Sequence, residues 1–205
     1  MLHILSYTPD WRSDPVLCAM FAARKQVFVD LLEWQVPVED DHYEIDAFDG
    51  EGAIYLVLTD DHGQHQASTR LLPTQRPHLL DSLFGALTMV APPTGPGVRE
   101  ITRFCLDRRL RAPARRVARD TLVSVLVDHA LASGITTYTG VAERGWFRQI
   151  EAFGWHCQPL GLPRPYQGQI LVALRIDITA QTPGLLAQNA IYRPLPGTGD
   201  HRHAA

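Results

Sequence analysis

The residue types best suited to binding a charged ligand meet in one short stretch, Val98–Leu106, which reads Val-Arg-Glu-Ile-Thr-Arg-Phe-Cys-Leu. Its β-branched and aromatic residues alternate, and a loop rich in proline and glycine precedes it, so the pattern predicts a buried strand. Burying a carboxylate or a guanidinium without a partner costs a large amount of free energy. Glu100 and Arg103 must therefore meet each other, another side chain or a ligand.

The spacing of these two charges predicts an irregular strand. Residues three apart on a regular strand point to opposite faces, so Glu100 and Arg103 can share a pocket only across a bulge. We therefore expect a bulge within Val98–Leu106.

A second candidate site lies in an acidic segment that also carries aromatic side chains. Seven carboxylates occupy the thirteen positions 39–51, with Trp34, Tyr43 and Phe48 near or among them. A nearby proline and glycine predict a long loop rather than a helix or strand. The segment is either a solvated acidic loop or a binding site, and its spacing is not that of an EF-hand. Aromatic faces beside carboxylates suit a cationic ligand, especially a sulfonium or a quaternary ammonium ion.

A basic cluster follows the central strand, although the chain has a formal net charge of -3. Its six members are Arg108, Arg109, Arg111, Arg115, Arg116 and Arg119. Pro113 can open a helix here, and the free N–H groups at a helix start favour anions. The cluster is either a solubilising face or a site for the phosphates of coenzyme A or the acidic surface of a carrier protein.

The elements that position these residues follow from periodicity and end signals. Asp14-Pro15 predicts the start of a helix that continues to about Val29, and Ala53–Thr59 with Gln66–Leu72 predicts a hairpin. The other predicted elements are a first strand at the N-terminus, a helical turn near Leu80–Phe84, a helix from Pro113 to Ser133, a strand at Thr136–Val141, a helix at Glu143–Phe153, a strand at Gln169–Ile178 and a short helix from Thr182 to about Ile191. This order indicates an α/β fold in which helices sandwich a mixed central β-sheet.

Length and composition fit one domain. A chain of 205 residues that is 45% hydrophobic can bury a proper core, and we expect a single domain over residues 1–193 with a flexible tail at 194–205. The acidic balance argues against nucleic acid as a partner, and no apolar run is long enough for a membrane span. Three scattered cysteines fit neither a disulfide framework nor a zinc site, and no secretion signal is evident. We therefore expect a cytoplasmic protein without a bound metal.

Several dispersed residues together resemble the signature of one family. In order and approximate spacing they are Arg24, Phe28, Trp34, Asp46-x-x-Asp49, Arg70 followed by Leu-Leu-Pro-Thr, Phe84, and Glu100-x-x-Arg103-Phe104. This pattern is similar to that of the LuxI-type acyl-homoserine-lactone synthases across roughly residues 20 to 106, whereas the second half is similar only in element order.

The resemblance implies a fold like that of the GNAT acyltransferases and a reaction between S-adenosylmethionine and an acyl thioester. The amine of S-adenosylmethionine takes the acyl group. The methionyl carboxylate then closes on its own γ-carbon, which expels methylthioadenosine and leaves the lactone. S-adenosylmethionine is a substrate here, so no cofactor is implied.

The resemblance also implies roles for individual residues. The expected S-adenosylmethionine site consists of Arg24 and Arg103 for the carboxylate, Asp46 and Asp49 for the positive groups, and Phe28 and Trp34 as aromatic walls. Glu100 is the candidate base for the α-ammonium, directly or through a water, and Arg70 is placed with it in the catalytic group. Strand N–H groups near Phe104 are candidates for binding the thioester oxyanion.

The acyl donor is expected to contact two further regions. Phe84, Thr139 and Gly140 are assigned to the acyl pocket, where a threonine could hydrogen-bond a 3-oxo group and the glycine would leave room. The sequence does not decide between acyl carrier protein and acyl-coenzyme A, whose acidic surface or phosphates would meet Arg109, Arg111, Arg115 and Arg116. Because Pro113 has no N–H to donate, these side chains rather than a glycine-flanked loop would hold phosphates.

Other interpretations use the same residues. Arg70 and Glu100 could form a structural ion pair, and Phe28, Phe84 and Phe104 could be core residues. A GNAT acyltransferase acting on another amine would share the fold and the basic cluster. A binding module that senses S-adenosylmethionine or an acyl chain would not need Glu100.

Overall fold

Strand β6, the charged stretch Val98–Leu106, lies in the middle of an eight-stranded mixed sheet in the computed structural model, which describes residues 1–194. The sheet strands are β1 (Leu2–Ser6), β4 (Ile54–Thr59), β5 (His65–Pro73), β6, β7 (Thr137–Glu143), β8 (His156–Pro159), β9 (Arg164–Tyr166) and β10 (Gln169–Asp177). Their order is β1-β4-β5-β6-β7-β10-β8, with β9 also paired to β10. All neighbouring pairs are antiparallel except β6 and β7, which are parallel.

Helices cover both faces of the sheet. They are α1 (Pro15–Arg24), α2 (Leu79–Ser82), α3 (Ala112–Ser133), α4 (Arg144–Glu151) and α5 (Thr182–Gln188). Helix α1 begins where predicted because the Asp14 side chain accepts hydrogen bonds from the backbone N–H groups of Val16 and Leu17. Helix α3 ends at Gly134, whose φ of 70° is a left-handed conformation that favours glycine.

Alternation along the strands divides the core between the two faces. On β4, Tyr55 and Val57 pack with residues of α1, and we call this side the first face. The intervening Leu56 and Leu58 pack with residues of α3, and we call this side the second face. A strand with both faces covered is apolar along most of its length, as β4 is from Ile54 to Leu58.

Two irregularities in β6 open the centre of the sheet. The pairing of β5 with β6 shifts between Ser68 and Arg70, and Arg103 has a φ of 51°, so the expected bulge is confirmed. The pairing of β6 with β7 ends at Ile101 and Gly140, although both strands continue beyond these residues. We call the resulting gap between the two strands the β6–β7 opening.

The α/β fold with a mixed central sheet is confirmed, and the differences from prediction are local. The acidic segment is mostly irregular but forms a small hairpin from β2 (Val38–Glu39) and β3 (Tyr43–Glu44). Strands β8 and β9 were not predicted, because they are short, exposed edge strands that contain prolines and lack an alternating pattern. No described helix is long and apolar enough to cross a membrane. The predicted tail, apart from Pro194, lies outside the described residues.

Candidate active site

A buried ion network lies between α1, the acidic segment and the middle strands. It contains three arginines and three carboxylates, namely Arg24, Arg70, Arg103, Glu44, Asp46 and Asp49. The charges balance, which limits the cost of taking them out of water. These residues belong to segments that are far apart in the sequence. They come together because the acidic segment folds back over the first face.

Arg24 and Asp49 form a fully buried pair in the ion network. Two guanidinium nitrogens of Arg24 donate to the two carboxylate oxygens of Asp49 at 2.9 and 2.8 Å, and Nε donates to Glu44 at 2.6 Å. Burial alone would raise the pKa of Asp49, but Arg24 and Arg70 together hold it well below its usual range. All three guanidinium nitrogens of Arg24 thus donate to carboxylates, and only 1% of its surface is exposed. In this structure Arg24 is thus committed to the carboxylates of the network, and its predicted contact with the ligand carboxylate stays a prediction.

Arg70 connects the network to β6. Its guanidinium donates to both carboxylate oxygens of Asp46, at 2.6 and 3.0 Å, and its Nε donates to the Thr102 hydroxyl at 2.9 Å. Burial favours a higher pKa for Asp46, but Arg70 and Arg103 lower it below the usual value. Arg70 makes no ion pair with Glu100, so the interpretation of these two residues as a structural pair is wrong.

Arg103 is the network arginine that lies beside the aromatic rings of Phe28 and Trp34. Its Nε and Nη2 donate to Glu44, and Nη2 also donates to Asp46 at 2.8 Å. The centre of its guanidinium lies 5.5 Å from the ring centroid of Phe28 and 5.9 Å from that of Trp34. The two rings are stacked on each other, with centroids 4.8 Å apart and planes 15° apart. Aromatic faces at this distance attract a cation.

A π-helical turn, Lys25–Val29, positions Phe28. The N–H of Asp30 donates to the carbonyl of Lys25, five residues back, and Leu32 bonds to Val27 in the same way. The N–H of Trp34 then donates to the Phe28 carbonyl at 2.8 Å, which holds the two aromatic residues together. Such turns insert one residue into a helix and are frequent at functional sites.

Glu100 lies apart from the network, under α2. Its carboxylate is fully buried and accepts hydrogen bonds from the backbone N–H groups of Leu79 at 2.8 Å and Leu80 at 3.0 Å. Burial raises the pKa of Glu100 to about 7, although these two N–H groups act in the opposite direction. A carboxyl group with such a pKa can exchange a proton near neutral pH.

A cavity of about 380 Å³ passes through the β6–β7 opening and joins the two faces of the sheet. On the first face it is lined by Val27, Phe28 and Trp34, with Arg103 at its wall. Its second-face compartment is lined by Phe104, Leu106, Val123, Leu126, Ala142, Trp146, Ile150, Phe153, Trp155, Leu174 and Ile176. The site therefore combines a charged, aromatic half with an apolar half.

The residues assigned to the acyl pocket are only partly brought together. Gly140 lines the cavity, and a Cβ at this position would lie 3.0 Å from the Ile101 carbonyl oxygen, so glycine permits the close approach of β7 to β6. Phe84 does not line the cavity and packs on Tyr166, with centroids 5.3 Å apart. Thr139 also lies outside the lining, because its side chain is on the first face beside Glu100. Its buried hydroxyl has no hydrogen-bond partner within residues 1–194.

The arginines assigned to the acyl donor are also separated by the structure. Arg115 lines the cavity, and its guanidinium donates to the carbonyls of Leu106 and Asp107. Arg109 pairs with the Asp107 carboxylate at 2.6 Å. Arg111 and Arg116 are exposed at the start of α3.

Sequence reasoning missed two parts of this site. Glu44 bridges Arg24 and Arg103, but nothing in the acidic segment distinguishes it from its six acidic neighbours. The aromatic side chains Trp146, Phe153 and Trp155 wall the second-face compartment, although their pattern resembles an ordinary core. The signal that could have identified these three aromatic residues is the number of large aromatic side chains near β7, the strand that pairs with β6.

Comparison with known proteins places these features in one family. The sequence profile described as "Autoinducer synthase" matches residues 10–183. The chain is 35% identical over 175 residues to an acyl-homoserine-lactone synthase of Ralstonia nicotianae, which covers 82% of this chain and 85% of that protein. It is 37% identical over 174 residues to one of Rhizobium etli, which covers 83% of this chain and 81% of the relative.

Solved structures agree with this assignment. The structure of BjaI, described as a CoA-dependent acyl-homoserine lactone synthase with SAM and isopentyl-CoA, has a TM-score of 0.83 at 25% identity and covers 95% of this chain and 90% of its own. TofI in a ternary complex with an inhibitor and MTA has a TM-score of 0.74 at 30% identity, with 93% and 98% covered. A putative N-acetyltransferase from Lactobacillus plantarum, with a TM-score of 0.55 at 19% identity, shares the fold.

Proposed function

The chain belongs to the autoinducer synthase family and is an acyl-homoserine-lactone synthase, and on this premise we propose how its residues bind the substrates and catalyse the two steps. The observation that carries the proposal is the cavity through the β6–β7 opening. It joins a charged, aromatic half that suits S-adenosylmethionine to an apolar half that suits an acyl chain.

S-adenosylmethionine binds on the first face. Its sulfonium lies against the stacked rings of Phe28 and Trp34, where Asp46 adds a negative charge. Its carboxylate meets Arg103, whose Nη1 makes no hydrogen bond to any described residue and is therefore able to donate. Arg24 and Asp49 are positioning residues, since they hold the other members of the buried ion network in place.

Glu100 is the base that removes a proton from the α-ammonium. Because Glu100 does not line the cavity, a water relays the proton, and the unpartnered hydroxyl of Thr139 beside it is suited to hold that water. The neutral amine then attacks the thioester carbonyl carbon. The carbon–sulfur bond of the thioester breaks, and the donor leaves as its thiol.

The bulge in β6 supplies the donor for the oxyanion. The register shift leaves Arg103 and Phe104 outside regular pairing with β5, so a backbone N–H of this segment can donate to the thioester oxygen. The methionyl carboxylate then attacks its own γ-carbon, and the bond from this carbon to the sulfonium breaks to release methylthioadenosine. Holding the two reacting atoms together contributes several kcal/mol to this intramolecular step.

The start of α3 receives the polar part of the acyl donor. Arg115 lies at the cavity wall, with Arg111 and Arg116 exposed beyond it, so their charges suit phosphates or an acidic carrier surface. Arg109 contributes less, because its guanidinium is paired with Asp107.

The reaction needs no cofactor, because the sulfonium of S-adenosylmethionine already activates the carbon that is attacked. We place the reaction in the cytoplasm, which fits three cysteines that are all unpaired with one another. Dialysis against a chelator should leave the rate unchanged.

Incubation of purified protein with S-adenosylmethionine and acyl thioesters tests the proposal as a whole. We expect methylthioadenosine and an acyl-homoserine lactone in equal amounts, and only when an acyl donor is present. Release of methylthioadenosine without a donor, or of none with any donor, would contradict the proposed chemistry.

A further inference from the structure

We propose that this synthase selects a compact acyl group, meaning one that is short, branched or ends in a ring, and that Ile176 and Trp155 set its length limit. The inference rests on the proposed function, since it takes the second-face compartment as the acyl site. It concerns which donors react fastest, which the family membership alone leaves open.

The size of the cavity is the first argument. Its volume of about 380 Å³ includes the part next to Phe28 and Trp34, which the methionyl group needs. Pockets for drug-sized ligands span roughly 300–1,000 Å³, so this cavity is near the lower end of that range. A single benzene ring already fills a cavity of roughly 150 Å³. The space left for the acyl group is therefore small.

The register of β10 and β7 shows where the compartment closes. Leu174 lies opposite Gly140 at the β6–β7 opening, whereas Ile176 lies opposite Tyr138, two positions further from the opening. Trp155 directly precedes β8, whose first residue pairs with the last residue of β10. An acyl chain that enters at Gly140 thus meets Ile176 and Trp155 at its far end.

This far end is fixed in place. The Trp155 indole N–H donates to the Ile150 carbonyl at 2.8 Å, which sets the orientation of the ring. The Tyr138 hydroxyl donates to the Leu126 carbonyl at 3.0 Å and ties α3 to β7. Ile176 and Trp155 are 2% and 6% exposed, so neither can swing out into solvent. Close-packed side chains of this kind do not retreat to admit a longer chain.

The side wall favours a compact apolar group. Phe104, Trp146, Phe153 and Trp155 form a continuous row in which neighbouring ring centroids are 5.3, 5.9 and 5.9 Å apart. Their planes are inclined by 45° to 75°, so the row offers both ring faces and ring edges. A branched or ring-ended group can contact several of them at once, whereas a long linear chain would have to fold back on itself.

The test measures kcat/KM with a panel of acyl thioesters, each supplied both on coenzyme A and on a carrier protein. The panel contains butanoyl, isovaleryl, benzoyl, octanoyl and dodecanoyl groups, and methylthioadenosine release is the readout. We expect dodecanoyl to be poorer than the best compact donor by roughly tenfold or more. The other members show whether a short, branched or ring-ended group is preferred.

Enlarging the far end should relax this selection. In Ile176→Ala and Trp155→Leu, we expect the ratio of dodecanoyl to isovaleryl kcat/KM to rise by roughly tenfold. Trp11→Leu is the matched control, because Trp11 is equally buried but packs in the first-face core, and its ratio should stay at the wild-type value. Ile176→Ala keeps the test valid if Trp155→Leu does not fold.

Two outcomes would overturn the inference. One is a wild-type preference for dodecanoyl, and the other is an unchanged ratio in folded Ile176→Ala. Both leave the proposed function intact, because methylthioadenosine is still released with an acyl donor. Absence of release with every donor would instead overturn the proposed function and this inference with it.

Discussion

Glu100 is the buried carboxylate that no arginine contacts within residues 1–194, whereas Glu44, Asp46 and Asp49 all have arginine partners. Arginine partners hold the pKa values of Asp46 and Asp49 below the usual range, so these two carboxylates are ionised at physiological pH. Glu100 lacks that compensation, and burial raises its pKa to about 7. The separation of these environments assigns proton transfer to Glu100 and fixed charge to the network.

The pH dependence of activity checks this assignment. A base must be deprotonated to act, so kcat/KM of the wild type should rise with pH through about 7 and level off above it. Glu100→Gln keeps the side-chain shape and one oxygen that can accept from the Leu79 or Leu80 N–H, but it replaces the other oxygen with an NH2 group and cannot take a proton. We expect it to lower kcat by about 10²–10⁴-fold, to abolish the rise near pH 7 and to leave the affinity for S-adenosylmethionine nearly unchanged.

Steady-state kinetics over a range of pH, together with calorimetric titration of S-adenosylmethionine, measure both quantities. Thr139→Val serves as a companion variant, since it removes the hydroxyl proposed to hold the relay water while Glu100 remains. A large loss of affinity with unchanged turnover in Glu100→Gln would place Glu100 in binding rather than in catalysis.

Among the elements, β6 shows how far sequence reasoning reaches and where it stops. The alternation in β6 predicts a strand, and the spacing of Glu100 and Arg103 predicts the bulge that the structure contains. The sequence could not show that Glu100 would end under α2 and Arg103 in a network with Glu44. Those partners come from segments far apart in the chain, and local patterns carry no information on how such segments pair. The role of Gly140 could not be predicted for the same reason, because its close approach to Ile101 depends on the parallel pairing of β7 with β6.

The start of α3 gives a prediction at the same scale. Arg115→Glu with Arg116→Glu reverses two charges where the acyl donor is proposed to arrive, so we expect its KM to rise by about tenfold or more while the KM for S-adenosylmethionine stays constant. Initial rates with each substrate varied in turn measure the two constants. The control Arg12→Glu with Arg76→Glu makes the same change in net charge at exposed positions elsewhere. If the two double variants behave alike, the cluster at α3 is a solubilising face.

At the scale of the whole molecule, the order of strands and helices was predictable and the joining of two compartments was not. Apolar periodicity and end signals such as Asp14-Pro15 and Gly134 place the main elements within a few residues. The cavity depends on where β6 and β7 stop pairing, at Ile101 and Gly140, and a pairing between segments this far apart in the chain has no local signal. The sequence does not predict edge strands β8 and β9 for a related reason, since their pairing with β10 defines them more than their own composition does.

The buried ion network connects the first-face core to the sheet, and its balance of charge makes a prediction about the stability of the entire fold. Asp49→Asn removes one negative charge and leaves Arg24 and Arg70 with too few partners, so we expect a loss of about 3–5 kcal/mol in the free energy of unfolding at pH 7. The pKa of Asp49 in the folded protein is lower than in the unfolded chain. Its stabilisation is therefore present above the unfolded pKa and is lost as pH falls toward the folded value.

Urea unfolding of the wild type and Asp49→Asn at pH 7 and at successively lower pH measures this dependence. Below the ordinary pKa of an aspartate, near 4, the difference between the two proteins should shrink, because the wild type alone loses the contribution of an ionised Asp49. Glu51→Gln, which removes a carboxylate from an exposed pair with Arg76, should change stability little at any pH. A difference between wild type and Asp49→Asn that stays constant on acidification would mean that Asp49 acts through shape and hydrogen bonding, and that the charge balance of the network does not stabilise the fold.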